Sequence, residues 1–277
     1  MDKADVAIIG AGVIGLAVAV ELAERSPGKA IFIFEKHESF GRETSSRNSE
    51  IIHAGIYYPT GTLKSSLCVE GKQLLYDFCE QWGVPYRKSG KLIVAGSEEE
   101  IASLEGLQKK AAANGVVDLQ ELGPQQLARL EPNVRACGAL YSPSSGIVNA
   151  HVLMSRLEQQ AMQKGALPAY CHWVHQIEPL AEGYRIYFQN PDGSKDHLDC
   201  LHLINCAGLQ ADRIAASVGI DLDEAGYRQY YCKGEYFSLP SEYTRLVNRH
   251  IYPPPLKELT GLGIHLTCSL DGRLRLG

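Results

Sequence analysis

Residues 5–35, DVAIIGAGVIGLAVAVELAERSPGKAIFIFE, open the chain with a strand, a glycine-rich turn, a helix and a second strand. Residues 5–9 are short and β-branched, residues 13–25 carry helical periodicity, and residues 30–34 (AIFIF) are an apolar strand. Together they have the length of a βαβ unit, about 30 residues. The turn reads Gly10-x-Gly12-x-x-Gly15. Gly10 permits the tight turn, Gly12 lets backbone approach a pyrophosphate, and Gly15 with Ala19 allows close helix-to-strand packing. The helix N-terminus behind them presents unpaired N–H groups and the positive end of a dipole to an anion. Glu35 lies twenty residues beyond Gly15 and can accept hydrogen bonds from both hydroxyls of an adenosine ribose. A glycine-rich turn without a ligand leaves Glu35 unexplained. The pattern therefore predicts a dinucleotide site; an acid at this position disfavours NADP and leaves NAD and FAD open.

The 277 residues are 45% hydrophobic and 21% charged, with a net charge of −5 and a pI near 6.0. That is an ordinary globular composition with room for about two domains. Without a Lys/Arg block, neither nucleic acid nor an anionic membrane surface is an expected partner. The eight cysteines are scattered singly through apolar segments of a chain too large to need disulfide staples, and read as reduced thiols of a cytosolic protein. The one metal-like cluster is Cys171-His172-x-x-His175. In a strand the side chains of residues 172 and 175 leave opposite faces, and no further C-x-x-C-type ligands accompany them, so no metal is expected. The apolar run at residues 6–20 ends in a signal-peptidase look-alike, Ala17-Val18-Ala19. Asp2 and Asp5, the interrupting glycines and the continuing helix argue against a secretory signal. The run is also shorter than the ~20 residues of a membrane-spanning helix. The expectation is a cytoplasmic protein without a transmembrane segment, with peripheral membrane association left open.

Further along, Leu74, Leu75, Phe78, Cys79 and Trp82 share one face of a helix over residues 70–82, and a strand comes next at residues 91–95. Ser97 and Glu100 form a capping-box pattern opening a helix through Ile101, Leu104 and Leu107, and Glu98-Glu99-Glu100 complements its dipole. A loop at residues 142–146 leads to a helix at 150–165, alternating strands, an apolar strand ending in LINCAG at 203–208, and a helix at 210–218. β signals close the chain at residues 227–239 and 249–252 and in a pair joined by Asp271-Gly272. The order predicts an α/β fold, a nucleotide-binding domain with a parallel sheet and helices interrupted by a β-rich second domain. The expected boundaries are 1–85 with 145–225 for the first and 86–144 with 226–277 for the second.

The stretch after Glu35 separates NAD from FAD. An NAD enzyme usually runs from the second strand straight into another crossover helix, whereas residues 40–49 (FGRETSSRNS) are polar, glycine- and hydroxyl-rich and suit an extended cofactor. From there residues 45–72, SSRNSEIIHAGIYYPTGTLKSSLCVEGK, resemble the L-2-hydroxyglutarate oxidases and dehydrogenases, a group within the FAD-dependent oxidoreductases related to D-amino-acid oxidase. KGEYFSL (233–239), HIYPPP (250–255) and GLGIHLT (261–267) recur in the same order. The resemblance implies FAD in a Rossmann-like domain interrupted by a β-rich substrate domain. It implies that Ser45, Ser46, Arg47 and Asn48 contact the flavin side of the cofactor and that Ala207-Gly208 forms a third cofactor-binding turn. His53, Tyr57 and Tyr58 would approach the isoalloxazine and substrate. Glu50 departs from the pattern, since the family more often has glycine there. The family also continues past residue 277 and completes its FAD site with C-terminal residues, so the chain as given is expected to be weakly flavinylated and catalytically poor, with an unpaired edge left by its return strand.

Oxidising a 2-hydroxy acid requires hydride transfer from Cα to the flavin, a base for the hydroxyl proton and cations or donors for carboxylate. His53 and His265 are the candidate bases, because imidazole titrates near operating pH. Lys233 and Arg47 can each offer charge to a carboxylate or pair with a local acid. Tyr236 and Tyr252 read equally as pocket walls and as β-core residues. The expected reaction is oxidation of L-2-hydroxyglutarate to 2-oxoglutarate, with oxygen or a quinone as electron acceptor. The alternatives are another small 2-hydroxy or amino acid, or an inactive fragment of such an enzyme.

Overall fold

Strand Lys3–Ile9 is buried along almost its whole length, as a strand covered on both faces must be. It pairs in parallel with Ile31–Phe34 on one side and Lys195–Asn205 on the other, Ile8 standing opposite both Ile33 and Ile204. In the computed structural model, which describes residues 3–244, 246–255 and 263–277, the chain forms two compact units. The first comprises Met1–Asn48 and Ala150–Tyr231. Its six-stranded sheet runs Trp173–Pro179, Tyr184–Gln189, Lys195–Asn205, Lys3–Ile9, Ile31–Phe34, Leu167–Ala169. The last four are parallel neighbours, and the first three form an antiparallel meander. Helix Val13–Arg25 buries Gly15, Leu16, Ala19, Val20 and Ala23, one face at helical spacing, and packs beside helix Ala150–Gln163. Phe34, Ile177, Ile186, Phe188 and Leu198 fill the core against the meander. This is the α/β, Rossmann-like arrangement that the opening residues imply.

The second unit comprises Ser49–Asn149 and Cys232–Gly277. Its seven-stranded sheet runs Phe237–Ser238, Leu274–Leu276, Leu266–Cys268, His250–Tyr252, Lys91–Ala95, Gly138–Ser142, Gln120–Leu122. Among these described strands only the pair His250–Tyr252 and Lys91–Ala95 is parallel. A three-stranded sheet joins Ile51–Ile52, Gly146–Val148 and Tyr86–Arg87. Helix Leu63–Trp82 begins where the Thr62 hydroxyl accepts the Ser65 N–H at 3.3 Å. Helix Glu98–Ala113 begins where Ser97 accepts the Glu100 N–H, while the Glu100 carboxylate reaches back to the Gly96 N–H at 2.6 Å. Ile56, Ile93, Leu104, Leu107 and Leu140 form the core between helix and sheet.

Two features differ from the sequence reading. The chain first passes between units at residues 48–49, whereas the sequence expectation set the boundary at 85. Residues 49–85 build the second unit, since Ile51 ladders with Ile147 and the Tyr76 hydroxyl donates to the Ser144 carbonyl at 3.0 Å. The β signal at residues 227–239 yields only Phe237–Ser238 as a described strand, which ladders with Leu276 and Arg275, and Leu239 adds one N–H bond to the Leu274 carbonyl. Among the described residues no helix is long and apolar enough to cross a membrane.

Glu131, fully buried, holds the second unit together. Its carboxylate accepts from the Asn248 N–H at 3.1 Å and from Arg249 Nη1 at 2.9 Å. Glu131→Ala strips a largely buried guanidinium of its counter-charge and is expected to cost about 3 kcal/mol. A fall in the urea midpoint measures this; an unchanged midpoint contradicts it.

Candidate functional site

The first unit contains a cleft of about 680 Å³ at the strand-to-helix turn, within the ~300–1,000 Å³ of ligand pockets. Gly10 holds φ +106°, and a side chain on it would collide with the Cys206 carbonyl. A side chain on Gly15 would collide with the Gly10 carbonyl, so the helix sits directly on the turn. Gly12 lines the cleft, and its lack of a side chain also makes room for Ser45. A Cβ there would lie 2.9 Å from Ser45 Oγ. That hydroxyl accepts the Val13 N–H at 3.0 Å and caps the helix from thirty-two residues away. Glu35, 9% exposed, accepts from the Ala11 N–H at 3.0 Å through Oε2 and from the His37 N–H at 2.9 Å through Oε1. A carboxylate has about four lone-pair sites, so both oxygens keep acceptor capacity toward the cleft.

Of the four consecutive polar residues, Ser45 and Asn48 line the cleft. Asn48 Nδ2 also donates to the carbonyls of Thr44 and Ser45, and the Ser46 hydroxyl donates to the Gly41 carbonyl. Ser46 and Arg47 are exposed and outside the cleft lining. Cys206, Ala207 and Gly208 form another wall. At the far end His172 and His175 both line the cleft, because a register shift between Val174 and Gln176 breaks the alternation that would have sent them to opposite faces. Among the described residues no group of three or more His, Cys, Asp or Glu side chains is arranged to hold a metal ion. The cleft thus offers the N-terminal end of a helix to an anion and a fixed carboxylate to a diol.

The second unit gathers a different set. Lys91 and Ile93 pair in register with His250 and Tyr252 on the neighbouring strand. Lys91 is fully buried, its Nζ has no hydrogen-bond partner among the described residues, and it lies 4.5 Å from the ring centroid of Tyr57 and 4.9 Å from that of Tyr252. The Tyr252 ring stacks on His265 at 4.5 Å with 26° between planes, and Tyr236 meets the same imidazole edge-on at 5.7 Å. His265 Nδ1 lies 2.9 Å from the Gly263 carbonyl, which makes it the donor and leaves Nε2, 3.4 Å from the Tyr236 hydroxyl, as the acceptor. His250, fully buried, accepts the Cys268 N–H at Nδ1 and so donates from Nε2 to Ser89 Oγ at 2.9 Å. Burial, then the electrostatic influence of Lys91 and of the neighbouring His250, His265 and Lys64, push the His53 imidazole down to about 3. Burial likewise lowers His250 to about 3 and Lys91 to about 7, and raises the phenols of Tyr57 and Tyr252.

The structure therefore brings His53, His265, Tyr57, Tyr236 and Tyr252 into one neighbourhood. Tyr58 lies beside it, half-buried, with Lys64 Nζ 4.8 Å from its ring. Lys233 is elsewhere: its side chain is 82% exposed and pairs with Glu235 at 2.6 Å. Gly261 and Leu262 of the GLGIHLT segment lie outside the described residues. Glu50, where the family more often has glycine, adopts φ +59°, a left-handed conformation that glycine takes without strain. Lys91 is the residue the sequence reading passed over. Its signal was the strand KLIVA, in which Lys91 occupies the same inward phase as Ile93 and Ala95.

The sequence matches the family of FAD dependent oxidoreductases over residues 5–277, and the chain belongs to that family. It is 36% identical over 278 residues to the mitochondrial L-2-hydroxyglutarate dehydrogenase of Caenorhabditis elegans, covering 100% of this chain and 63% of that protein. With the mitochondrial L-2-hydroxyglutarate dehydrogenase of Homo sapiens it shares 35% over 282 residues, 99% of this chain and 60% of the relative. The chain thus spans less than two thirds of the length of these relatives. Dithionite-reduced L-α-glycerophosphate oxidase from Mycoplasma pneumoniae, with FAD bound, superposes with a TM-score of 0.85 at 26% identity, over all of this chain and 71% of that one. Glycine oxidase from Geobacillus kaustophilus shares the fold, with a TM-score of 0.77 at 22% identity.

Ser45→Ala removes the acceptor for the Val13 N–H. A loss of about 1 kcal/mol is expected, as for other helix caps, read from the thermal midpoint of the protein. Gly12→Ala, which displaces the same hydroxyl, is expected to give a similar loss, and a neutral result for both rules out the capping role.

Proposed function

We propose that this protein oxidises L-2-hydroxyglutarate to 2-oxoglutarate, with FAD held by the first unit and the acid by the second. The observation that carries the reading is the pair of lysines near His53: Lys91, buried over the ring faces of Tyr57 and Tyr252, and Lys64, both bearing on that imidazole. Such a neighbourhood favours an anion, and a dianion most. The names of the curated relatives support the same substrate.

The residues of the cleft fit the adenosine and pyrophosphate half of FAD. Glu35, tied down by Ala11 and His37, offers its remaining lone pairs to the ribose hydroxyls. The turn at Gly10 and Gly12 and the helix N-terminus behind it face the pyrophosphate, while Gly15 lets the helix pack directly on the turn. Ser45 and Asn48 continue the wall toward the flavin, and Ala207-Gly208 closes the opposite side. When bound, FAD supplies the acceptor for the hydride from the substrate Cα. The chain's own task is to hold the acid and remove the hydroxyl proton.

A base must be unprotonated before it acts. Burial and its cationic neighbours keep His53 neutral across the physiological range. His265 presents Nε2 as an acceptor in the tautomer that Gly263 fixes. A bound dicarboxylate opposes the positive charge of the neighbouring lysines and so strengthens His53 as a base at the moment it is needed. Tyr57, Tyr236 and Tyr252 wall the site and offer hydroxyl donors.

Anaerobic bleaching of the flavin tests the substrate. L-2-hydroxyglutarate is expected to bleach it faster than the D isomer, L-lactate or glycine, and equal or faster bleaching by one of these rejects the assignment. Replacing the base, His53→Ala or His265→Ala, is expected to slow reduction by at least ~10²-fold while flavin content is retained. Because the folded pKa of His53 is depressed, the acid limb of kcat/KM is expected well below pH 6.5 if His53 is the base. Glu35→Ala is expected to weaken FAD binding by at least about tenfold, from the loss of hydrogen bonds to a charged acceptor; flavin retained through dialysis as in the wild type would exclude the ribose contact.

A further inference from the structure

A fully buried lysine with no hydrogen-bond partner is a poor structural residue. On the inward phase of an apolar strand, beside Ile93 and Ala95, packing alone favours an aliphatic side chain. The groups around Lys91 compensate its charge only in part. The ring faces of Tyr57 and Tyr252, at 4.5 and 4.9 Å, attract a cation through their quadrupoles. His53 and Tyr57 face it from the segment after strand Ile51–Ile52, and His250 and Tyr252 from the adjacent strand. Cys68 faces it from helix Leu63–Trp82, and His265 lies behind Tyr252. None of these is a carboxylate.

We propose that Lys91 is a positioning residue that makes the site selective for dianions. Its Nζ, clamped between Tyr57 and Tyr252, takes up a proton when a dicarboxylate occupies the neighbourhood of His53 and His265, and it gives that proton up when the acid leaves. This rests on reading the substrate as a 2-hydroxy diacid. The ammonium acts through two routes. One is the stack in which the Tyr252 ring lies between Lys91 and the His265 imidazole, so that a charged Lys91 fixes the ring against which His265 is oriented. The other acts through space, as positive charge in a low-dielectric site raises the affinity for carboxylate and disfavours protonation of His53. The bound acid supplies a counter-charge that the described residues around Lys91 lack.

Burial lowers the ammonium from its usual value to about 7, and this sets the sign of the pH dependence. Above that pH the folded chain releases a proton that the unfolded chain retains up to about 10.5, so stability rises with pH across this window. Below pH 7 the buried charge costs stability in full. A Lys91→Met chain lacks this dependence and is expected to melt higher than the wild type at pH 6, with the gap closing toward pH 10.

The test uses the FAD-loaded full chain as wild type, Lys91→Met and Lys91→Arg, with glutarate, a dicarboxylate lacking the reactive hydroxyl, as probe and butyrate as the monocarboxylate control. At pH 8, calorimetry in buffers of different ionisation heat is expected to show uptake of close to one proton on glutarate binding to the wild type. With Lys91→Met that uptake disappears and glutarate binds at least about tenfold more weakly, while butyrate is affected less. Lys91→Arg, charged at every working pH, binds glutarate without proton uptake and moves the basic limb of kcat/KM upward from near pH 7. Wild-type glutarate affinity and proton uptake in Lys91→Met overturn the proposal, as does an equal loss for glutarate and butyrate. The substrate reading fails separately: bleaching by a different dicarboxylate with the glutarate pattern intact removes L-2-hydroxyglutarate and keeps Lys91. Bleaching by L-2-hydroxyglutarate with an unchanged KM in Lys91→Met does the reverse.

Discussion

The carboxylate of Glu35 ties together the backbone on which the cofactor cleft depends. Oε2 holds Ala11 inside the glycine turn, Oε1 holds His37 beyond the strand, and the main chain of Glu35 bonds to Ala169 and His172 on the neighbouring segment. Three stretches distant in sequence are thereby brought to one acid, and each later feature of the cleft inherits its position from them. The helix can start directly above because Gly10 and Gly15 carry no side chain, and its first N–H groups are held open to the cleft on one side and to Ser45 on the other. An apolar residue at position 35 would leave the Ala11 and His37 N–H groups without these partners at a constrained point of the unit.

The second unit rests on the opposite principle, since it concentrates cations and polar groups that it does not satisfy internally. Lys91 Nζ and the Tyr57 hydroxyl are both buried without hydrogen-bond partners among the described residues. His250 in the same neighbourhood is fully satisfied, by Cys268 and Ser89, which marks it as a structural histidine despite its burial among the others. A core assembled for stability alone would resemble the cluster of Ile56, Ile93, Leu104 and Leu140. The unsatisfied groups lie at the end of that cluster where Tyr57 and Tyr252 pack against it, so the change from apolar core to binding chemistry occurs within one strand, between Lys91 and Ile93.

The features legible in the sequence were local. The opening βαβ unit depends on neighbours within thirty-five residues, and the helix Val13–Arg25 and the strand Lys91–Ala95 fall where their periodicity puts them. The features hidden from it depend on distant partners. The strand expected over residues 227–239 shrinks to Phe237–Ser238 because a ladder exists only where Leu276 and Arg275 arrive. Ser45 as a helix cap requires knowing that residues 13 and 45 meet, and no spacing rule connects them. Lys233 lies in a segment that resembles the family, yet it is held in solvent by Glu235, two residues away. Lys91 is legible only after its strand is seen flanked on both sides, because an edge strand would carry the same lysine into water.

The protonation preferences of the second unit set fold against function. Lys91, His53 and His250 all have depressed values in the folded chain, so the folded state binds fewer protons than the unfolded one as pH falls from about 10 to about 3. The unit is thus most stable in mild alkali, with Lys91 uncharged, and loses stability first through the lysine and then, below pH 6.5, through the imidazoles. Attraction for a carboxylate runs the other way and is greatest when Lys91 is charged. A dianion reconciles the two, because its own charge raises the affinity of Lys91 for a proton and converts an unfavourable buried cation into half of an ion pair. A monoanion brings half of that compensation, and a neutral hydroxy compound none. Discrimination among acids of similar length then depends on how much of the cost of protonating Lys91 each one offsets, without a separate contact for every carboxylate oxygen.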